Sequence, residues 1–542
     1  MKIGEYLIKQ LRETGLKHVF GIQGDYVLNF YSQLYKSRLK LINTCDEQGA
    51  GFAADAYARV AGFGAVCVTY GVGGLKLANS TAQAFAELSP VLVISGSPGM
   101  AEREHEALLH HKVRSFETQL NVFKEMTCAQ TVLSDAKTAS FEINRVIATI
   151  KETKRPGYIE LPRDMVDVEI DEPKIKVTEK AVTVDTAALN EALHEVLDML
   201  NLAERPIVIG GAEIHRFNLQ KIFLKFLKRS GLPFVTGVLS KSLVSENHPQ
   251  YVGVYAGGMS PEHVRKAVEN SDCVIALGPF VTDLATGIFT HHIDIKKSIV
   301  MMPNSILVKH HNYPNISMKY FLESLNKSLK TPKKINFKPK KYKLAPFFPK
   351  EGKKITVDRL IACVNTFLDD LTIVIAEPGD PLFGSLDLQV HGMTEFISPA
   401  YYASTGFAVP ASIGVQFAAP DRRPIVLVGD GSFQMTAMEL SVCARYGLSP
   451  IVIIFNNGGY GTFRSMIDGT FNDIQPWRYA DIVNIIGKGE GYTVSTEKEL
   501  SNALLSAKKN KTSPSIIDVR LEKNDCSERL RKLTDKLKKR IK

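Results

Sequence analysis

Short apolar runs alternating with helix-patterned stretches, three times along the chain, predict an α/β protein of three doubly wound parallel-sheet domains. The clearest unit starts at Pro424-Ile425-Val426-Leu427-Val428 and turns through Gly429-Asp430-Gly431-Ser432. It continues as a helix over 433–446, with Ser432 as N-cap, and returns as Pro450-Ile451-Val452-Ile453-Ile454-Phe455. Strand, tight turn, helix and strand favour parallel pairing. Asp430 and Asn457 then sit at the carboxyl ends of two strands, where open α/β sheets bind ligands.

The first domain spans 1–166. Residues 4–15 read as an amphipathic helix and Val19 to Ile22 as a strand, with Asp25 in the turn after it. Leu39 to Thr44 is a strand, and Gly49 to Val60 a helix with Glu47 in its dipole-favoured first turn. Ala65 to Thr69 and Val91 to Ser95 are further strands. The turn Tyr70-Gly71-Val72-Gly73-Gly74 between them lacks the lysine and spacing of a P-loop. Residues 167–186 are charged and weakly periodic, as a linker would be. The middle domain, 187–325, has strands at Ile207–Gly210, Pro233–Val235 and Cys273–Gly278, with Asp283 shortly after the last. Asp283 is expected to cap the following turn, with a place in a substrate pocket as the alternative. A Lys- and Pro-rich linker covers 326–354. The third domain, 355–525, opens with a helix and the strand Thr372–Ala376, followed by Glu377-Pro378-Gly379-Asp380. A basic helix at 526–542 is expected to lie on the surface.

The net charge of +10 does not indicate a nucleic-acid protein. Residues 327–354 carry +10 and residues 526–542 carry +6, which leaves −6 for the remainder. Neither basic stretch interleaves aromatics with base-reading side chains, so both read as solvated surface. No apolar run is long enough to span a membrane, and the amino terminus lacks a signal-peptide pattern. Seven scattered cysteines without a Cys-x-x-Cys pair point to reduced thiols and a cytoplasmic location.

The residue types around 430 suit a diphosphate. Gly429 and Gly431 let backbone approach a ligand closely, and the helix amides behind Gly431 and Ser432 are free for phosphate oxygens. Asp430 and Asn457 offer hard oxygen atoms fit for Mg²⁺. The pair Gly429-Asp430-Gly431-Ser432 and Asn456-Asn457 is similar to the diphosphate-binding signature of thiamine-diphosphate enzymes. The first domain resembles their pyrimidine-binding domain at Gly24-Asp25, Asp46-Glu47, Ala53-Ala54-Asp55-Ala56-Tyr57-Ala58-Arg59 and Ala86-Glu87-Leu88-Ser89-Pro90-Val91. Leu109-His110-His111 resembles the paired histidines of the 2-oxo acid decarboxylases. The pairs at 291–292 and 310–311 fall outside that register and read as structural.

The resemblance implies thiamine diphosphate with Mg²⁺ held by Asp430, Asn457 and the carbonyl of Gly459. Gly429, Gly431, Ser432 and Asp380 then lie on the cofactor. Ala403 offers its carbonyl to the aminopyrimidine, and Thr405 is the wedge between the rings. It also implies Glu47 as the carboxyl group touching the pyrimidine, with Asp25, His110 and His111 as proton-transfer groups. The reaction implied is decarboxylation of a 2-oxo acid to an aldehyde, in a homodimer or homotetramer whose sites form between subunits. The alternative within the same cofactor class is a carboligase of the acetolactate synthase type. Two positions depart from the pattern. Phe463 stands where many pyruvate-type members carry glutamate, as in the phenylpyruvate decarboxylase branch, and Thr405 is smaller than the usual apolar wedge. Phe463 is therefore expected to wall a pocket for aryl or long-chain 2-oxo acids.

Overall fold

The computed structural model describes residues 1–104, 106–171, 185–329, 346–393 and 396–541. Most of both expected linkers, at 167–186 and 326–354, lies outside these residues.

The first sheet comprises β1 (His18–Gly21), β2 (Lys40–Asn43), β3 (Gly64–Val68), β4 (Val91–Ser97), β5 (Gln130–Val132) and β6 (Gly157–Pro162). Its order is β2-β1-β3-β4-β6-β5, and every pairing is parallel. Both faces are covered by helices, so strands such as Gly64–Val68 and Val91–Ser97 are buried along their whole length. The chain of this domain runs on past 166, because the Ile170 N–H donates to the Met1 carbonyl at 2.9 Å.

The middle sheet holds β7 (Pro206–Gly210), β8 (Phe234–Thr236), β9 (Tyr251–Val254), β10 (Cys273–Leu277), β11 (Ser298–Met302), β12 (Ser305–Val308) and β13 (His311–Pro314). Its order is β13-β12-β11-β10-β7-β8-β9. It is not wholly parallel, because β11, β12 and β13 pair antiparallel. The reason is local: only residues 303 and 304 separate β11 from β12, and so short a connection makes a hairpin, not a crossover.

The third sheet comprises β14 (Thr372–Ala376), β15 (Phe396–Ile397), β16 (Arg423–Gly429), β17 (Ile451–Asn456), β18 (Glu490–Val494) and β19 (Ser515–Arg520). Its order, β15-β14-β16-β17-β19-β18, repeats that of the first sheet strand for strand, again all parallel. The chain thus contains one architecture twice, with a different domain between.

The two similar domains share a core. Helix Glu47–Ala61 crosses helix Ala408–Ala418 so closely that a Cβ on Gly414 would lie 1.9 Å from the Ala53 carbonyl oxygen. Phe52 meets Phe407 edge to face at 5.6 Å. Helix Glu47–Ala61 is an alanine-rich segment buried from Gly49 to Arg59, capped by the Asp46 carboxylate on Gln48 N–H and ended by Gly62 at φ +88°.

One expectation is corrected. Ser432 is not an N-cap. The helix begins at Asp430 with Gly429 in the cap position, and it yields to a 3₁₀ turn at Ala437–Glu439 before resuming at Leu440–Tyr446. The carboxyl-terminal helix, Glu528–Ile541, packs on the surface of the third domain as expected. Leu530 and Leu533 are buried in the core of the third domain, where leucines at i and i+3 share one helix face.

Candidate functional site

Adjacent parallel strands β16 and β17 end level with each other, Gly429 opposite Phe455. That register brings Asp430 and Asn457 side by side at the carboxyl edge. Asp430 is 1% exposed. Its Oδ1 accepts from Gly431 N–H at 2.8 Å, and its Oδ2 accepts from Gly458 N–H at 2.7 Å and Gly459 N–H at 3.1 Å. Burial pushes this carboxyl up to about 6. Beside it, Asn457 Oδ1 is buried and finds no hydrogen-bond partner among the described residues. An orphaned amide oxygen next to a buried carboxylate is costly unless a ligand completes it. A Cβ on Gly429 or Gly458 would meet nothing within 4 Å, so the edge opens onto free space. The Gly459 carbonyl accepts from Gly461 N–H at 2.9 Å and keeps a second lone pair. Carboxylate, amide and carbonyl oxygens together form a hard donor set that fits Mg²⁺.

The cleft over these atoms is lined by Gly429, Gly431, Ser432 and Asp380, among others. Asp380 is already engaged, since Ser527 donates to its carboxylate through both N–H and hydroxyl. Burial lifts the Asp380 carboxyl to about 7. Among the described residues, no side chain of the first domain lines this cleft.

A second group lies in the first domain. Asp25 Oδ2 is 2.8 Å from His110 Nε2. The rings of His110 and His111 are 4.6 Å apart, and the Tyr26 ring stacks on His110 at 4.7 Å. The chain holds His111 at φ +67°, a strained value for histidine. Gly71 packs under it, where a Cβ would come within 2.5 Å of the His111 carbonyl oxygen. Of the glycine turn at 70–74, Gly71 thus makes room for His111. The side chains of His110 and Asp25 are 57% and 45% exposed. Glu47 sits at the start of its helix with Oε2 3.0 Å from Lys76 Nζ. A Cβ on Gly73 would lie 3.3 Å from Glu47 Oε1.

Comparison with known proteins places the chain in one family. Residues 1–119 match the N-terminal TPP binding domain of thiamine pyrophosphate enzymes, 193–319 their central domain, and 383–519 their C-terminal TPP binding domain. The chain is 34% identical to indole-3-pyruvate decarboxylase of Azospirillum brasilense over 514 residues, 93% of this chain and 92% of that protein. It is 32% identical to an alpha-keto-acid decarboxylase of Mycolicibacterium paratuberculosis over 532 residues (95% and 93%). It is 31% identical to pyruvate decarboxylase 1 of Pisum sativum over 552 residues (97% and 92%). The chain belongs to the thiamine-diphosphate-dependent 2-oxo acid decarboxylase family. Thiamine diphosphate is its cofactor, and the cleft at Asp430 fits the diphosphate end of that molecule.

Within this family member the remaining expected residues divide. Ala403 adopts φ +58° and donates its N–H to the Pro399 carbonyl at 2.9 Å. Thr405 is half-buried two residues on. Phe463 lies on the short helix Gly461–Arg464, 53% exposed, beside cleft residues Tyr460 and Thr462. Asp283 is exposed and caps its own turn, accepting from Leu284 N–H at 2.7 Å. It does not line the cleft of this decarboxylase chain. His311 pairs with Glu195 inside the middle domain, in keeping with a structural role for that histidine. Sequence reasoning missed Lys76 and the roles of Glu377, Asp55, Arg59 and Glu87, although the last four stood inside quoted segments.

Proposed function

We propose that this chain decarboxylates 2-oxo acids with aryl or long side chains, using thiamine diphosphate and Mg²⁺, and releases the aldehyde and carbon dioxide. Bound thiamine diphosphate supplies the electron sink that lets a carboxylate leave as carbon dioxide. The observation that carries the reading is the Asp25–His110–His111 cluster, which a protein that only bound the cofactor would not need. An imidazole can both give and take a proton, and a carboxylate 2.8 Å from His110 orients its ring for proton transfer to the product carbon. His111 and Asp25 complete a proton path at the same spot. Asp430, Asn457 and the Gly459 carbonyl would hold Mg²⁺, with the amide of Ser432 on the diphosphate; the Gly431 N–H, expected to be free, is taken by Asp430 Oδ1 at 2.8 Å. Ala403 and Thr405 would seat the pyrimidine half, and Glu47 would hydrogen-bond the ring.

Among the described residues no first-domain side chain lines the cleft at Asp430, and Glu47 and the histidines are therefore assigned to the site of a second copy. A homodimer is then the least assembly with complete sites, and a homotetramer pairs two such dimers. Phe463 is half exposed and follows the cleft residue Thr462 in the chain. It offers an apolar wall, and burying an aryl group there gains about 1.5–3 kcal/mol. All seven cysteines are free, which supports a reducing, cytoplasmic compartment. No helix among the described residues is long and apolar enough to cross a membrane.

The test is carbon dioxide and aldehyde release by the purified chain with thiamine diphosphate and Mg²⁺. Pyruvate, phenylpyruvate, indolepyruvate and a branched 2-oxo acid are compared side by side. Faster turnover of the aryl acids than of pyruvate is expected. Turnover of pyruvate alone overturns the substrate assignment. Accumulation of 2-hydroxy ketones in place of free aldehyde overturns the decarboxylase assignment in favour of a carboligase.

A further inference from the structure

The segment Pro399–Ala408 contains Ala403 and Thr405 and has almost no regular structure. Two of its residues are left-handed, Ala403 at φ +58° and Gly406 at φ +89°. A turn of this kind drifts unless its amides are held from outside. Both ends are held by buried carboxylates.

At the leading end, Glu87 Oε1 accepts from Tyr401 N–H and Tyr402 N–H, each at 2.8 Å. Glu87 Oε2 accepts from Arg59 Nη1 at 2.8 Å. Arg59 also donates to the Ser398 carbonyl at 3.1 Å, and it makes a two-point pair with Asp55 at 2.8 and 2.9 Å. Gln83 donates to Asp55 at 2.9 Å. From the middle domain, Arg216 Nε donates to the Glu87 carbonyl at 3.2 Å. Asp55, Glu87 and Arg59 are 0%, 2% and 5% exposed. At the trailing end, Glu377 is fully buried; one oxygen accepts from Gly406 N–H and the other from Ala408 N–H, both at 2.7 Å. Burying two carboxylates is expensive, and charge-assisted bonds to backbone amides are among the strongest ways to offset it. The four amides they grip flank Ala403 and Thr405 on both sides.

We propose that Glu87 and Glu377 are positioning residues that clamp the turn at 403–405, so that its backbone is preformed to receive the pyrimidine half of thiamine diphosphate. This rests on the cofactor placement given under the proposed function. Glu87 acts across the domain boundary: the first domain of a chain steadies the cofactor seat of that same chain, while its Glu47 is assigned to the partner's site. Arg59 and Arg216 hold Glu87 and join all three domains to that seat.

The test uses full-length wild type, Glu87→Gln and Glu377→Gln, each titrated with two probes in the presence of Mg²⁺. Inorganic diphosphate reports the Asp430 end alone, and thiamine diphosphate reports both ends. Diphosphate affinity is expected to stay within about threefold of wild type. Thiamine diphosphate affinity is expected to fall about 10- to 100-fold, the effect of losing a buried hydrogen bond to a charged group. The turnover number at saturating cofactor should fall as well. Equal weakening toward both probes overturns the clamp, because it is the signature of general unfolding. Unchanged thiamine diphosphate affinity overturns it too. Wild type that binds diphosphate but not thiamine diphosphate removes the underlying cofactor placement instead. Should either variant fail to fold, amide hydrogen exchange of cofactor-free wild type decides. Protected amides at Tyr401, Tyr402, Gly406 and Ala408 are expected, and free exchange there before cofactor is added contradicts the proposal.

Discussion

The proposed anchor at Asp430 and the proposed acid-base cluster at Asp25, His110 and His111 are built in opposite ways. Asp430 is 1% exposed and fixed by three backbone amides from its own and the next strand end. His110 and Asp25 are about half exposed, stand on loops, and are held by each other and by the rings of Tyr26 and His111. A buried anchor with preset amides binds without reorganisation, whereas an exposed cluster still has solvent to lose. On this reading the chain completes its binding half alone and leaves its chemical half to be covered by a second copy. Both halves come from domains with one strand order, so the same scaffold has been filled with two kinds of site.

Breaking the anchor is expected to have the largest effect. Asp430→Ala should abolish Mg²⁺-dependent cofactor binding in calorimetry and lower carbon dioxide release on the order of 10⁴-fold, since it removes the only carboxylate of the donor set. Glu47→Gln attacks the chemical half instead. Release should fall roughly 10³-fold while inorganic diphosphate still binds as in wild type. His110→Asn should cost about 10²-fold in turnover, again with diphosphate binding intact. If the His110 and Glu47 variants weaken diphosphate as strongly as Asp430→Ala does, the division into two halves is wrong. Phe463→Glu should lower the phenylpyruvate-to-pyruvate ratio of kcat/KM by about 10-fold or more. An unchanged ratio leaves Phe463 without a role in selection.

The smallest effect concerns stability. Burial raises the Glu377 carboxyl from its ordinary 4.5 to about 7. The folded chain therefore keeps a proton that the unfolded chain releases at lower pH. The stability this contributes is full below pH 4.5 and is lost as pH rises through 7. The Tm of Glu377→Gln should accordingly fall less steeply than that of wild type between pH 5 and 7.5, measured by calorimetry without cofactor.

Much of the anchor was legible because it is local. Apolar strands ending in Gly429-Asp430 and Asn456-Asn457 announce a carboxyl-edge site, and parallel pairing alone brings the two ends together. The start of the helix at Asp430 was misplaced because Ser432 has the chemistry of a cap but not its position. The burial of Leu530 and Leu533 was hidden by the charges around them, since a net charge says nothing about which helix face points inward. The antiparallel edge of the middle sheet turned on a connection of two residues between β11 and β12, easily overlooked amid parallel neighbours. The clamp formed by Glu87 and Glu377 could not be read at all. Its bonds join residues 314 and 29 positions apart, and nothing in either local pattern says which amides a buried carboxylate will meet.

The division between halves is tested most directly by mixing two inactive chains. Asp430→Ala and Glu47→Gln are coexpressed, and carbon dioxide release is measured on the purified mixture. If each site takes Asp430 from one copy and Glu47 from another, mixed dimers contain one site with both residues intact, and random assortment restores about a quarter of wild-type activity. If each chain builds its site alone, every site carries one lesion and the mixture stays as inactive as its components, which contradicts the account.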